Sequence, residues 1–113
     1  MDDLAPEIHR QRLVIEGYPP RELSADEITR YLSGLSAVLD MTTIAEPVTH
    51  RSEKYGEAAW IHWETSGAHF YSWETPRLFF SVDIYTCKPF AVETALDYTR
   101  HVLHAHVLAH KSF

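Results

Sequence analysis

The reactive side chains of this sequence crowd into one stretch, from His62 to Cys87, which also holds Ser66, His69, Tyr71, Trp73, Glu74, Asp83 and Tyr85. A hydroxyl, imidazoles, carboxylates and the chain's single thiol are the groups that nucleophilic and general acid–base chemistry uses. Their spacing matters as much as their types. His69, Tyr71 and Trp73 are two apart, so on a strand they share one face, while Phe70 and Ser72 point the other way. Asp83, Tyr85 and Cys87 form the same series further on. If the two strands pair as a hairpin, both series look into one pocket. Each residue also has a plainer use. Ser66-Gly67 is a common hairpin turn, and a lone Cys87 is more often a buried small apolar residue. Trp60, Trp63 and Trp73 more often pack a sheet than stack a ligand, and Asp83 can simply pair at a sheet rim.

The elements that must position these residues are legible as patterns. Arg12 to Gly17 reads as a first strand, closed by Tyr18-Pro19-Pro20. Ser24-Ala25-Asp26-Glu27 has the capping-box pattern, and Ile28, Tyr31, Leu32, Leu35, Val38 and Leu39 then recur at helical spacing. Gly34 is expected to let that helix approach a sheet closely. Thr42–Thr49 suits a second strand, with Pro47 marking an edge or bulge, and His50–Gly56 a polar loop. Ala58–Thr65 reads as a third strand, Ser66-Gly67 as a break, Ala68–Trp73 as a fourth strand and Glu74–Arg77 as a turn. Leu78–Tyr85, rich in β-branched and aromatic residues, is a fifth.

Beyond Lys88-Pro89-Phe90, a second helix would turn Val92, Ala95, Leu96, Thr99, Val102 and Leu103 inward. The tail Ala105–His110 either extends that helix or returns as a last strand. The order β-α-β-β-β-β-α(-β) predicts an α+β fold: a two-layer α/β sandwich with a mostly antiparallel sheet and both helices on one face. Residues 1–10 are expected to be a loose arm, and residues 11–113 one domain. The uncovered sheet face would carry Trp and Phe residues, Trp60, Phe70 and Phe80 among them. A second subunit is its simplest cover, giving a homodimer.

Composition narrows the partners. The net charge is −6 and no Lys/Arg cluster exists, which argues against nucleic acid; the charge suits a cationic small molecule, although a mild acidic balance more often serves solubility. No apolar run approaches the roughly 18 residues that span a bilayer. The acidic start (Met1-Asp2-Asp3) is unlike a signal peptide, and one cysteine allows no internal disulfide, so the cytoplasm is the expected compartment. His101, His104, His106 and His110 have spacings that suit a metal on a helix, but no cysteine or carboxylate completes a site and no metal is expected.

Val82-Asp83-Ile84-Tyr85-Thr86-Cys87 closely resembles the segment carrying the catalytic cysteine of the prokaryotic, pyruvoyl-dependent S-adenosylmethionine decarboxylase proenzyme family. Val48-Thr49-His50-Arg51 resembles that family's Val-Ser-His-Lys. Counted from there without a gap, its self-processing serine falls on Ser66. Trp73-Glu74 is similar to its Trp-Pro-Glu, and Arg12–Glu16 to its first strand. The likeness spans roughly residues 11–100. It departs at the cleavage motif, where Glu-Ser-His is replaced by Thr65-Ser66-Gly67, and at the processing histidine, whose position holds Tyr71 with His69 one pleat away.

The resemblance implies a dimeric α/β sandwich whose Ser66 attacks the preceding carbonyl. The resulting ester breaks the chain by elimination and leaves a pyruvoyl group on residue 66. That group would bind the amino group of S-adenosylmethionine covalently and take up electrons as CO₂ leaves, feeding polyamine (spermidine) synthesis. It implies Cys87 as proton donor, His69 or Tyr71 in processing, Trp73 stacked on adenine, Glu74 on the ribose, and Asp83 at the ligand. The alternative is an unprocessed, non-catalytic paralogue that binds S-adenosylmethionine, a nucleoside or an amino acid, or regulates a partner. The missing histidine points that way, because tyrosine is a poor base at neutral pH.

Overall fold

The computed structural model describes residues 2–113. The elements are β1 (Gln11–Tyr18), α1 (Ala25–Val38), β2 (Thr43–Ser52), β3 (Gly56–Trp63), β4 (Ser66–Trp73), β5 (Phe79–Thr86), α2 (Val92–Leu103) and β6 (Val107–Ser112). They form one sheet in the order β2-β3-β4-β5-β1-β6, every pairing antiparallel. Both helices share its core, so the fold is the expected α+β sandwich. The tail is a strand. His104 adopts a left-handed conformation (φ 52°) that ends α2 and returns the chain to pair with β1.

Local chemistry explains the framework. The Ser24 hydroxyl accepts from the Glu27 amide and the Glu27 carboxylate reaches back to the Ser24 amide, a closed capping box at the start of α1. Alternation then sorts the strands. Leu13, Ile15, Ile61, Trp63, Phe70, Phe80, Val82 and Ile84 all face the helices and are buried. Phe70 stacks on Phe80 at 5.7 Å between ring centroids and meets Tyr31 of α1 edge-on at 5.2 Å. Ser36 is buried among them because its hydroxyl donates to the Leu32 carbonyl (3.0 Å) and accepts from the Trp63 indole (2.6 Å). No helix among the described residues is long and apolar enough to cross a membrane.

Several expectations need correction. Phe70 and Phe80 belong to the core, so the open face carries Trp60, Tyr71 and Tyr85 instead. Val38 and Val102 are exposed, each one position off its helix's inward stripe. Gly34 serves helix–helix contact: a Cβ there would lie 2.0 Å from the Tyr98 hydroxyl of α2, which donates to the Tyr31 carbonyl. The loop after the second strand shrinks to a turn, because β2 runs to Ser52 and pairs with β3 from Gly56. Pro47 does mark an irregularity on an edge strand, the register shift between Ala45 and Val48. The hairpin break falls on Glu64-Thr65, since Ser66 and Gly67 join the ladder opposite Trp63 and His62 on one side and Thr86 and Tyr85 on the other. Ahead of β1 the Ile8 amide donates to Ala5 (2.9 Å) and Arg10 pairs with Asp3, while Met1 of the expected arm lies outside the described residues.

Candidate active site

Moving the turn to Glu64-Thr65 places the peptide between Thr65 and Ser66 at the mouth of the β4–β5 ladder. There the Cys87 amide donates to the Thr65 carbonyl oxygen (3.1 Å) and lies 3.4 Å from Ser66 Oγ. The Thr65 hydroxyl is 2.8 Å from Ser66 Oγ. The Met41 thioether, 4.0 Å away, closes the other side of that hydroxyl. A nucleophile, the carbonyl before it and a hydrogen-bond donor on that carbonyl therefore meet at one point. An N–H aimed at a carbonyl oxygen stabilises the negative charge that grows there on attack.

The two alternating series do pair. His69 stands opposite Asp83, Gly67 opposite Tyr85 and Tyr71 opposite Ser81. They line the open face of the sheet, where a shallow hollow of about 720 Å³ lies among Arg12, Trp60, His62, His69, Asp83, Tyr85 and Cys87, with Ser66 at its edge. Asp83 is held by both arms of the Arg12 guanidinium (3.0 and 2.7 Å). Cys87 is exposed, not a buried apolar filler. His69 packs edge-on against Trp60 (6.3 Å) and Tyr71 (6.2 Å). Ser66 has the opposite parity. It shares the helix side with Ala68, Phe70 and Ser72, so neither His69 nor Tyr71 reaches its hydroxyl.

Trp73 and Glu74 stand apart from both groups. β4 is eight residues long and Ser66 and Trp73 are its ends, seven steps apart, so Trp73 lies roughly 23 Å from Ser66 at about 3.3 Å per residue. At that end Glu74 takes a bidentate bond from Arg51 (2.9 and 2.6 Å), and Glu57 also contacts Arg51 at 3.3 Å. Arg51's hydrogen bonds hold the Glu74 carboxyl below the usual carboxylate range. Tyr55 meets the Trp73 ring edge-on at 5.2 Å. Trp73, Tyr18, Phe79, Pro76 and Arg77 line a small, mostly apolar hollow of about 320 Å³.

The S-adenosylmethionine decarboxylase family model matches residues 13–113, which takes in both helices, all of the sheet but the first two residues of β1, and every candidate side chain except Arg12. The chain belongs to that family. The crystal structure of the adenosylmethionine decarboxylase from Aquifex aeolicus VF5 is similar to this decarboxylase-family chain with a TM-score of 0.72 and 18% identity, covering 94% of this chain and 89% of that one. At that identity the likeness speaks for the fold, and the chain is a divergent member. A comparison with curated proteins returns no match.

Within this family fold, the structure adds residues that type and spacing alone had not picked out. Thr65 looked like the end of a strand, yet its hydroxyl and carbonyl both touch the Ser66–Cys87 point. The partnership of Arg12 with Asp83 was present only as alternation on two distant strands. Arg51, read as part of a polar loop, saturates Glu74. His101, His104, His106 and His110 are exposed, and no His, Cys, Asp or Glu cluster among the described residues could hold a metal.

Proposed function

We propose that this protein makes a pyruvoyl group from Ser66 and uses it to decarboxylate S-adenosylmethionine or a related amino acid for polyamine synthesis. The observation that carries the reading is the meeting of the Thr65 carbonyl, Ser66 Oγ and the Cys87 amide. Ser66 Oγ bonds to the Thr65 carbonyl carbon, and the Cys87 N–H receives the charge on the oxygen. The Oγ proton passes to the Thr65 hydroxyl and on to solvent, and a proton returns to the Ser66 nitrogen as the C–N bond breaks. Elimination from the ester then removes the Ser66 Cα proton to solvent and breaks the Cβ–Oγ bond, releasing Thr65 as a carboxylate. The dehydroalanine left at residue 66 takes up water and loses ammonia.

The pyruvoyl group so formed supplies an electron sink for the bond pair left by departing CO₂. Cys87, exposed beside it, would return the proton to the substrate carbon. Trp60, His69 and Tyr85 would bind the flat part of the ligand, and Asp83, held by Arg12, the sulfonium side. Trp73 and Glu74 are too distant to serve within one chain. A second copy packed on the open face is the way to bring its own Trp73 and Glu74 to this Ser66. That assembly also gives the exposed Trp60, Tyr71 and Tyr85 a cover. With no imidazole or carboxylate on Ser66, self-cleavage is expected to be slow.

A second reading, an unprocessed domain that binds the ligand or regulates a partner, is favoured by the opposite parity of Ser66 and His69. Intact-mass measurement of the wild-type protein separates them. Fragments 1–65 and 66–113, the second blocked by pyruvate, support the enzyme. A chain that stays whole through days of incubation sinks it.

A further inference from the structure

The hydrogen bond from the Cys87 amide to Thr65 is the outermost rung of its ladder, one residue beyond the last strand pair, Ser66 with Thr86. Terminal rungs open readily, because nothing beyond them resists fraying. This rung is exposed, and Pro89 just after it has no N–H to extend the pairing. The loop that carries it is nevertheless fastened. The buried Thr86 hydroxyl donates to the Lys88 carbonyl (2.8 Å), and the Gln11 side chain pairs with both backbone groups of Phe90 (3.0 and 3.2 Å).

The remaining fastening is Lys88 itself. Its ammonium crosses to the end of α1, donating to the Asp40 carbonyl and standing 3.2 Å from an Asp40 carboxylate oxygen. The Asp40 carboxylate is fully in solvent (97% exposed), where an ion pair adds little, so the backbone carbonyl is the acceptor that matters. That carbonyl belongs to a fixed turn. Asp40 is left-handed (φ 57°), its amide donates to Ala37 (3.2 Å), and the next amide, Met41, donates to Ser36 (2.8 Å). Carbonyls at a helix C-terminus also carry partial negative charge that favours a cation. The same turn supplies Met41, which touches Ser66 Oγ. Lys88 therefore ties the amide donor to the turn that already touches the nucleophile.

Resting on the self-cleavage reading above, we infer that Lys88 is a positioning residue: it holds the Cys87 N–H on the Thr65 carbonyl and so sets the rate at which the Thr65–Ser66 peptide is activated. The test uses hydrogen exchange and cleavage together. In a Ser66→Ala chain, which stays intact, Lys88→Met should speed exchange of the Cys87 amide about tenfold or more, leaving amides at the centre of β5 unchanged. Lys88→Arg should restore most of the protection, and Lys54→Met, which removes a like charge from the distant β2–β3 turn, should do nothing. In the Ser66-bearing chain the cleavage half-time should lengthen by a similar factor. Unchanged Cys87 exchange in Lys88→Met overturns the inference, as does faster exchange with unaltered cleavage. A Ser66-bearing chain that never cleaves removes the self-cleavage reading and this positioning role with it, while the exchange data still decide whether Lys88 holds the rung.

Discussion

The two ends of β4 solve different problems. At the Ser66 end the contacts are backbone amides, carbonyls and hydroxyls, and none of the groups touching Ser66 carries a full charge. At the Trp73 end they are aromatic rings and a charge cluster in which Arg51 saturates Glu74 and contacts Glu57. The first arrangement suits breaking a bond, since a fixed N–H dipole beside a carbonyl acts only as charge develops. The second suits recognition, since rings and carboxylates offer surface and sign without reactivity. A strand keeps them apart, and only a second copy can bring one end of each chain to the other end of its mate.

The sharpest way to break this contrast is to remove the nucleophile. Ser66→Ala should abolish cleavage altogether and lower decarboxylation by about a thousandfold or more, as loss of a covalent catalyst does. Mass spectrometry should then find the whole 13.0 kDa chain. Mixing inactive Ser66→Ala chains with Trp73→Ala chains tests the division between subunits. If each site draws one end from each chain, the mixed dimer has one site that joins Ser66 to an intact Trp73, and it turns over with a wild-type KM that neither variant shows alone. No recovery would place both functions within one chain or deny the dimer.

Smaller effects refine the same picture. Trp73→Ala should weaken ligand binding about tenfold, the worth of one aromatic stack, and leave the rate of chain cleavage untouched. Cys87→Ser should do the reverse, sparing binding measured by calorimetry while turnover falls. The open face should bury at least about 1,000 Å² in a homodimer. Trp60→Glu should shift light scattering from a dimer toward 13.0 kDa, and a wild-type monomer at micromolar concentration would remove the shared site.

The smallest expected effect lies at the start of α1, the end of that helix away from Met41 and Ser66. Hydrogen bonds from Arg21 lower the Glu27 pKa from 4.5 to about 2. Its contribution is therefore complete above about pH 4.5 and lost as the pH falls toward 2. Glu27→Gln should cost about 1 kcal/mol at neutral pH, the usual worth of a cap, and flatten the acid limb of a denaturation profile. Cleavage at Ser66 should not change. If it does, the two ends are coupled through α1.

Much of this was legible in the residues. The capping box, the inward stripes of both helices apart from Val38 and Val102, and the alternation of β4 and β5 are local patterns, because a helix or strand presents its side chains at a fixed period whatever it packs against. The boundaries were less legible. Ser66-Gly67 looks like a turn as a dipeptide, yet as strand it gains ladder bonds on both sides, a benefit that depends on β3 and β5 being present. Phe70 and Phe80 pass for surface residues in the sequence, because alternation says which residues share a face but not which face meets the helices.

By itself, then, the sequence determined the order of the elements as far as α2, the family, and which of the residues from His69 to Cys87 share a face within each strand, all consequences of period and motif. Only the tertiary structure decided that Ser66 and His69 point to opposite sides, that Thr65 and the Cys87 amide converge on one carbonyl, and that Trp73 lies at the far end. Those are relations between strands. Their register and the side on which the helices pack are set by burial summed over the whole core, and no short stretch of residues carries that sum.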